Sequence, residues 1–226
     1  KFQGVVDHYL FVGNPGTGKT TVARIMGNIF YSLGVLPSNR LLEVTRKDLV
    51  EGYVGQTATK TARVVKRAVG GVFFIDEAYS LMGDNFGQEA TNTILPMLLD
   101  YKGKMVCIAA GYPREIRQWI DTNSGLESRF TKVIHFEDYN PDELAQIFRM
   151  KVKKDRLTLT PEAENAMRVY FTDLYNRRER NFANAREVNN YFDRVKKNQS
   201  SRLRHEMERP DFDPASYSIL LPEDMG

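Results

Sequence analysis

Short apolar runs alternate with longer amphipathic stretches over the first 138 residues of the chain. Each run is rich in residues that favour strands, and each segment between two runs is long enough for a helix. This alternation predicts an α/β fold with a parallel five-stranded sheet that is covered on both faces by helices. The predicted strands are Tyr9–Val12, Leu41–Val44, Val72–Ile75, Met105–Ala110 and Lys132–Phe136.

The pattern changes near Asn140, where strand-like runs give way to helical periodicity. Asn140 can cap a helix, Pro141 suits its first position, and Glu143 completes a capping box. Thr160 repeats the start signal, and no further strand-like run is predicted before about residue 208. The predicted divisions are an α/β domain over 1–138, a small all-helical domain over 139–209 and a C-terminal tail over 210–226.

The composition is that of an ordinary soluble globular protein, with 42% hydrophobic and 27% charged residues. No apolar run approaches the roughly 18 residues needed to cross a bilayer, and the first residues do not resemble a signal peptide. The only cysteine, Cys107, suits a reducing compartment and lies in an apolar run that predicts burial. The three histidines are far apart in the sequence, which argues against a zinc site. We therefore expect a cytoplasmic protein without a membrane partner.

A glycine-rich segment follows the first predicted strand and matches the pattern G-x-x-x-x-G-K-[ST]. Glycines let backbone N–H groups surround phosphates, and the following helix adds the positive end of its dipole. In this pattern Lys19 reaches the β- and γ-phosphates of ATP, and the Thr20 hydroxyl can bind Mg²⁺. The helix is predicted over Lys19–Tyr31, with an apolar face of Val22, Ile25, Met26 and Ile29. The predicted nucleotide-binding residues are Gly13, Asn14, Pro15, Gly16, Thr17, Gly18, Lys19, Thr20 and Thr21.

Two carboxylates follow the third predicted strand, Val72–Ile75. The carboxyl ends of parallel strands meet at one edge of a sheet, so Asp76 is expected beside the glycine-rich segment. There Asp76 would hold Mg²⁺, directly or through water. Glu77 would polarise the attacking water as a general base. The sequence therefore predicts an ATPase with ATP and Mg²⁺ as cofactors.

Six sequence blocks carry a resemblance to a known family, and they are Gly13–Arg24, Asp48–Thr57, Gly70–Tyr79, Ala110–Pro113, Gly125–Phe130 and Phe182–Arg186. In this order they resemble the AAA+ ATPases of the CbbX/CfxQ–SpoVK branch, which includes red-type Rubisco activases and, more distantly, EccA. The likeness covers nearly the whole chain. It implies a P-loop AAA+ domain with a helical lid, and a homo-oligomeric ring, usually of six subunits, with ATP at each interface.

The resemblance also implies roles for residues outside the phosphate-binding segment. Arg129 resembles the arginine finger that reaches the γ-phosphate in the neighbouring subunit and stabilises charge in the transition state. Arg186 resembles the sensor-2 arginine, which folds back from the lid over the nucleotide. Tyr112 stands where many AAA+ proteins have a polar sensor-1 residue, and we predict a packing role for it. The implied catalytic residues are Lys19, Glu77, Arg129 and Arg186.

Tyr53, Val54 and Gly55 resemble a pore loop that projects into the central channel of the ring. An aromatic ring could grip an extended chain by apolar contact, and a glycine supplies a hinge. Thr57 is predicted to cap a helix that runs to about Val69. Family members carry a segment with adenine contacts ahead of the first strand, so we expect that this segment has been trimmed.

Three functions fit these predictions. The first is a motor in which ATP hydrolysis moves the Tyr53 loops and remodels a protein substrate. The second is a nucleotide-switched assembly platform that holds partners without pulling them. The third is a nucleic-acid motor, weakly supported by the basic region 140–209, which has 16 Lys and Arg against 11 Asp and Glu. It is the least favoured, because the channel loop offers Tyr-Val-Gly where phosphates would need Lys or Arg.

Overall fold

The computed structural model describes residues 7–53, 55–210 and 212–226, and the chain divides into two compact units. The strands of the first unit are β1 (Tyr9–Gly13), β2 (Leu41–Val44), β3 (Val72–Ile75), β4 (Val106–Gly111) and β5 (Lys132–Phe136). They form one parallel sheet in the order β2-β3-β4-β1-β5. The predicted α/β class and the five-stranded parallel sheet are therefore confirmed.

Helices cover both faces of this sheet. Consecutive strand residues point to opposite faces, and Phe73 and Phe74 accordingly contribute to two separate buried clusters. The cluster around Phe73 includes Val65 and Ile94 from helices, whereas that around Phe74 includes Ala23. Burial on both faces explains why the inner strands β1, β3 and β4 are apolar along nearly their whole length, whereas the edge strands β2 and β5 also carry exposed polar residues. The helices are α1 (Lys19–Ser32), α2 (Arg46–Leu49), α3 (Gln56–Ala68), α4 (Asn85–Asp100), α5 (Pro113–Asp121) and α6 (Ser124–Arg129).

The apolar face that the sequence predicts for α1 is only partly correct. Ile25 and Ile29 are 51% and 49% exposed, whereas Ala23 and Gly27 are buried. A Cβ atom on Gly27 would lie 3.1 Å from Val72 Cγ2, so the missing side chain lets α1 approach the sheet closely. The size of the side chains, and not hydrophobicity alone, decides which face of α1 is buried.

The second unit consists of Asp138–Gly226 together with Pro15–Thr17. Its first two helices begin at the predicted signals. Asn140 and Glu143 form a capping box, and the Thr160 side chain accepts a hydrogen bond from the first turn of the next helix. The helices are α7 (Pro141–Lys154), α8 (Pro161–Asn176) and α9 (Ala185–Glu206).

The last stretch of the chain, which the sequence analysis treats as a tail, packs against the helices of this unit. Arg202 binds the buried carboxylate of Asp224 through two bonds, Nε–Oδ1 at 2.9 Å and Nη2–Oδ2 at 3.0 Å. Two short strands, β6 (Thr158–Leu159) and β7 (Ile219–Leu220), also pair in parallel. The all-helical prediction for 139–209 therefore misses β6, because two residues are too few to show a strand period.

Two expectations drawn from composition can be compared with the structure. Cys107 lies in β4 and is fully buried, as predicted, and burial raises the pKa of its thiol. A neutral buried thiol is inert and contributes as a small core residue. Among the described residues, no helix has both the length and the apolar character that a membrane span requires.

Candidate active site

The phosphate-binding loop leaves β1 at Gly13 and enters α1 at Lys19. A Cβ atom on Gly13 would lie 2.4 Å from the carbonyl oxygen of Phe136, so only glycine allows the loop to leave the sheet here. Gly16 and Gly18 have φ angles of 71° and 91°, in the left-handed region that glycine favours. The backbone conformation therefore accounts for glycine at positions 13, 16 and 18 without any bound ligand.

Lys19, Thr20 and Thr21 occupy the first turn of α1. The Lys19 ammonium donates to the carbonyl oxygens of Gly13 at 2.8 Å and Asn14 at 2.7 Å, which holds a cation against the loop. The Thr20 hydroxyl lies 3.5 Å from Oε1 of a carboxylate on β2. That carboxylate belongs to Glu43, which is exposed near the end of β2 and was not identified from the sequence.

Asp76 and Glu77 follow β3 at a sharp turn. The N–H of Asp76 donates to the carbonyl oxygen of Val44 at 2.8 Å, and Asp76 Oδ1 accepts from the N–H of Glu77 at 3.0 Å. Glu77 has φ 49° and ψ 46°, a left-handed conformation that costs a non-glycine residue about 1 kcal/mol or more. The turn leaves the Glu77 side chain exposed, where it can reach water.

The order of the strands brings these groups to one edge of the sheet. β1 leads into the phosphate loop, β3 leads into Asp76, and both pair with β4. The register aligns Val12 with Gly111 and Ile75 with Ala109. Parallel strands present their carboxyl ends at the same edge, which is where ligands bind in open α/β sheets.

Tyr112 follows β4 and packs against Tyr79, with ring centroids 5.7 Å apart. This contact agrees with the packing role predicted for Tyr112, which stays a prediction. Burial, with a further contribution from the Glu77 carboxylate, raises the pKa of Tyr79, so its phenol stays neutral. A Cβ atom on Gly111 would lie 2.7 Å from Tyr79 Cδ1, so a glycine is needed where the two tyrosines meet.

The oxygen groups at this edge fit Mg²⁺. Thr20 offers a hydroxyl and Asp76 a carboxylate, and Mg²⁺ prefers oxygen ligands. The described part of the chain contains no group of three or more His, Cys, Asp or Glu side chains that could hold a metal alone. Mg²⁺ usually keeps water ligands and binds through one or two carboxylates together with nucleotide phosphates.

Comparison with known proteins agrees with this geometry. The family model described as "ATPase family associated with various cellular activities (AAA)" matches residues 9–138, and that of the AAA lid domain matches residues 140–226. The chain belongs to the AAA family of ATPases. Membership of this family implies that the chain binds a nucleotide.

Curated relatives show which branch of the AAA family this chain is similar to. It is 41% identical over 222 residues to the protein CbbX of Cereibacter sphaeroides, a match covering 96% of this chain and 71% of that protein. It is 43% identical over 201 residues to the chloroplastic Rubisco activase of Cyanidioschyzon merolae, covering 87% and 68%. It is 46% identical over 162 residues to the ESX-1 secretion system protein EccA1 of Mycobacterium tuberculosis, but spans only 28% of EccA1. The resemblance to the CbbX/CfxQ group, with EccA also related, is therefore confirmed.

Solved structures show the same fold at low sequence identity. The AAA domain of FIGL-1 has a TM-score of 0.67 and 17% identity, covering 97% of this chain and 69% of that one. A mutant of Thermotoga maritima RuvB has a TM-score of 0.68 and 16% identity, covering 98% and 60%. At this identity the likeness establishes the AAA fold alone.

Arg129 ends α6, shortly before β5 begins. Its Nη1 donates to Ser128 Oγ at 2.7 Å, and its buried Nε has no acceptor among the described residues. The side chain lines a cavity of about 290 Å³ together with His8 and Lys102. Burial lowers the pKa of His8, and the charges of Arg129 and Lys102 act in the same direction. Arg129 therefore lies near the amino ends of β1 and β5, and the structure does not bring it to Lys19 of the same chain.

The Tyr53 loop lies between α2 and α3. Tyr53 is 73% exposed, and Gly55 has φ 80° immediately before α3. Val54, the middle residue of the predicted pore loop, lies outside the described residues. The prediction that Thr57 caps α3 is wrong, because the helix begins at Gln56 and Thr57 is buried in its first turn.

Thr57 instead joins the two sides of the Tyr53 loop. Its hydroxyl accepts from the N–H of Glu51 at 3.0 Å and donates to the Glu51 carbonyl oxygen at 3.2 Å. Lys60 adds an ion pair with the Glu51 carboxylate at 3.1 Å and donates to the Val50 carbonyl oxygen at 3.0 Å. Hydrogen bonds and an ion pair thus fix the base of the Tyr53 loop, that is, residues 50, 51, 57 and 60, while the Tyr53 ring itself stays exposed.

Arg186 lies in the first turn of α9 and is exposed. The residue before this helix, Asn184, is fully buried and has φ 51° and ψ −119°. Such a backbone is unusual outside glycine, and strained residues of this kind cluster at functional sites. Asn184 lies within the Phe182–Arg186 block of the family resemblance. Its hydrogen bonds to distant parts of the chain have no sequence signal.

Proposed function

We propose that this AAA chain forms a homo-oligomeric ring that hydrolyses MgATP and remodels a protein substrate. The proposal rests chiefly on one arrangement. Lys19, Asp76 and Glu77 occupy the carboxyl edge of the sheet, whereas Arg129 lies near the amino ends of β1 and β5. An arginine finger in that place serves the site of a neighbouring subunit, so complete sites require assembly.

In the proposed reaction the N–H groups of the phosphate loop and the Lys19 ammonium bind the phosphates. Thr20 and Asp76 would hold Mg²⁺, which would supply positive charge to offset that of the nucleotide phosphates. Glu77 accepts the proton of the attacking water. Arg129 of one subunit stabilises the transition-state charge in the next, and Arg186 responds to the nucleotide from the lid. The AAA domain of FIGL-1, a fold neighbour, has been solved with ADP, which supports this use of the fold.

The proposed substrate is a protein, engaged by Tyr53, Val54 and Gly55 in the channel of the ring. The support is the exposed Tyr53 ring on its fixed base, together with a relative named as a Rubisco activase. An exposed tyrosine grips polypeptide by apolar contact regardless of sequence. A nucleic-acid track would instead require cations in the channel, because phosphate contacts dominate affinity there.

The test compares the wild-type protein with Tyr53→Ala in two assays, ATP turnover and remodelling of inhibited red-type Rubisco or an unstructured protein such as casein. We expect turnover within about twofold of wild type, since the position is exposed, and complete loss of remodelling. Full remodelling by Tyr53→Ala would overturn the threading mechanism. ATP-dependent partner capture with negligible turnover would favour a nucleotide-switched assembly platform.

A further inference from the structure

Three consecutive carbonyl groups of the phosphate loop accept hydrogen bonds within the second unit, to which Pro15–Thr17 belong. We call this set of bonds the carbonyl clasp. Each donor comes from a different group, namely a side-chain amide, a backbone amide and a phenol. The bonds are Asn184 Nδ2 to Pro15 O at 3.3 Å, Ala185 N to Gly16 O at 3.2 Å and Tyr139 Oη to Thr17 O at 3.0 Å.

Asn184 is fixed from several sides. The two hydrogens of its amide are shared among three acceptors, because the nitrogen also lies 2.8 Å from Asp138 Oδ1 and 3.0 Å from the Phe182 carbonyl oxygen. Its Oδ1 accepts from the N–H of Tyr139 at 2.8 Å, which links two donors of the clasp. These bonds hold Asn184 in its strained backbone conformation. Strained residues usually persist only where surrounding contacts fix them in this way.

At Gly16 the phosphate loop lies very close to the backbone of residues 183–186. A Cβ atom there would lie 2.2 Å from the Ala183 carbonyl oxygen and 3.0 Å from the backbone nitrogen of Arg186. Contacts below 3.0 Å cannot be relieved by moving a flexible side chain when the atom in question is backbone. The second glycine of the motif is therefore required by packing within the second unit, independently of any ligand.

We propose that the carbonyl clasp orients the N–H groups of the phosphate loop and thereby prepares it to bind the β-phosphate of a nucleotide. In a trans peptide, the C=O of one residue and the N–H of the next point in opposite directions. Holding the three carbonyls on one side turns the N–H groups of Gly16, Thr17 and Gly18 to the other. Consecutive N–H groups facing one side form an anion-binding concavity.

The inference rests on the proposed function and deepens it. Asn184 and Tyr139 are positioning residues in this scheme, since they act on the phosphates only through the loop backbone. The scheme also gives the second unit a part in phosphate affinity that does not depend on Arg186. A change in the clasp must alter nucleotide affinity, and by linkage a bound nucleotide must stabilise the clasp by the same factor.

The experiment measures ADP and AMP affinities by calorimetry for the full chain and for Tyr139→Phe. This variant removes one donor of the clasp, the phenol that bonds Thr17 O, with little change in shape. We expect it to weaken ADP binding about three- to tenfold, the usual worth of one hydrogen bond, and to change AMP binding less, because AMP lacks a β-phosphate. Tyr191→Phe is the matched control, since its buried hydroxyl donates to the Met225 carbonyl oxygen in the same unit.

Equal losses for ADP and AMP, or an ADP affinity unchanged in Tyr139→Phe, would overturn the clasp while leaving the proposed function intact. A wild-type chain that binds no ADP would instead overturn the proposed function. Deuterium exchange of the nucleotide-free protein gives a second measurement. The peptide containing residues 15–18 should exchange faster in Tyr139→Phe than in Tyr191→Phe, and identical exchange in the two variants would contradict the proposal.

Discussion

The phosphate loop and the Tyr53 loop each precede a helix and each contain glycines with positive φ, yet they are built in opposite ways. Around Gly16 the backbone is crowded, and three consecutive carbonyls are hydrogen-bonded. Around Gly55 there is open space, and hydrogen bonds hold only the base of the loop. The first arrangement suits a fixed cradle for phosphates, and the second suits an exposed side chain that must contact changing partners.

The largest effect should follow from removing the positively charged Lys19 side chain from the phosphate loop. We expect Lys19→Ala to weaken ATP binding about 100-fold or more, because it removes a preorganised charge that faces the phosphates. Titration with a fluorescent ATP analogue measures this loss. Val54 and Tyr53 are untouched by the change, so a protein substrate offered without nucleotide should bind Lys19→Ala and wild type equally.

Glu77→Gln should separate binding from chemistry. The amide cannot accept the proton of the attacking water, and general base catalysis is worth about 10²- to 10⁴-fold in rate. We expect turnover to fall by that factor while ATP affinity stays near the wild-type value. Parallel turnover and binding assays decide the matter, and an equal loss in both would show that Glu77 is not the base.

Gly16→Ala and Gly55→Ala compare the two loops directly. Both positions have positive φ, at 71° and 80°, so both variants carry backbone strain of about 1 kcal/mol. Only the Cβ on residue 16 meets another atom, 2.2 Å from the Ala183 carbonyl oxygen. We expect Gly16→Ala to lose nucleotide binding and Gly55→Ala to keep it, as measured by ADP calorimetry. Similar nucleotide affinities in the two variants would refute the distinction drawn between the loops.

The smallest effect concerns the base of the Tyr53 loop. Thr57→Val keeps the side-chain shape but leaves the Glu51 N–H and carbonyl without their partner, which should lower the free energy of unfolding by about 1–3 kcal/mol. Thr91→Val is the control, because the buried Thr91 hydroxyl donates within its own helix, to the Gly87 carbonyl oxygen. Denaturant unfolding measures both, and equal losses would mean that the Thr57 bonds add nothing.

The sequence predicted the fold well because the signals involved are local. β3 and β5 have the predicted bounds, and the capping box of Asn140 and Glu143 is present. Strand period, glycine spacing and helix caps each depend on a few neighbouring residues, so they can be read without knowing the fold.

Features that depend on distant contacts were missed or misjudged. The buried face of α1 is determined by how closely Gly27 lets the helix approach β3, and not by the apolar period of Ile25 and Ile29. Thr57 resembles a helix cap in sequence, but its partner is Glu51 across the loop. Asn184 contacts residues as distant in sequence as Pro15. Such partners become visible only when the chain is folded.

The central claim, that each hydrolytic site is shared between subunits, is tested most directly by co-assembling Glu77→Gln with Arg129→Ala. Each variant alone should be inactive in ATP turnover. In a head-to-tail ring of both, about a quarter of the interfaces would pair an intact Glu77 with an intact Arg129. We predict that turnover reappears at about that fraction of the wild-type rate. No turnover in mixed rings that bind ATP would contradict the account.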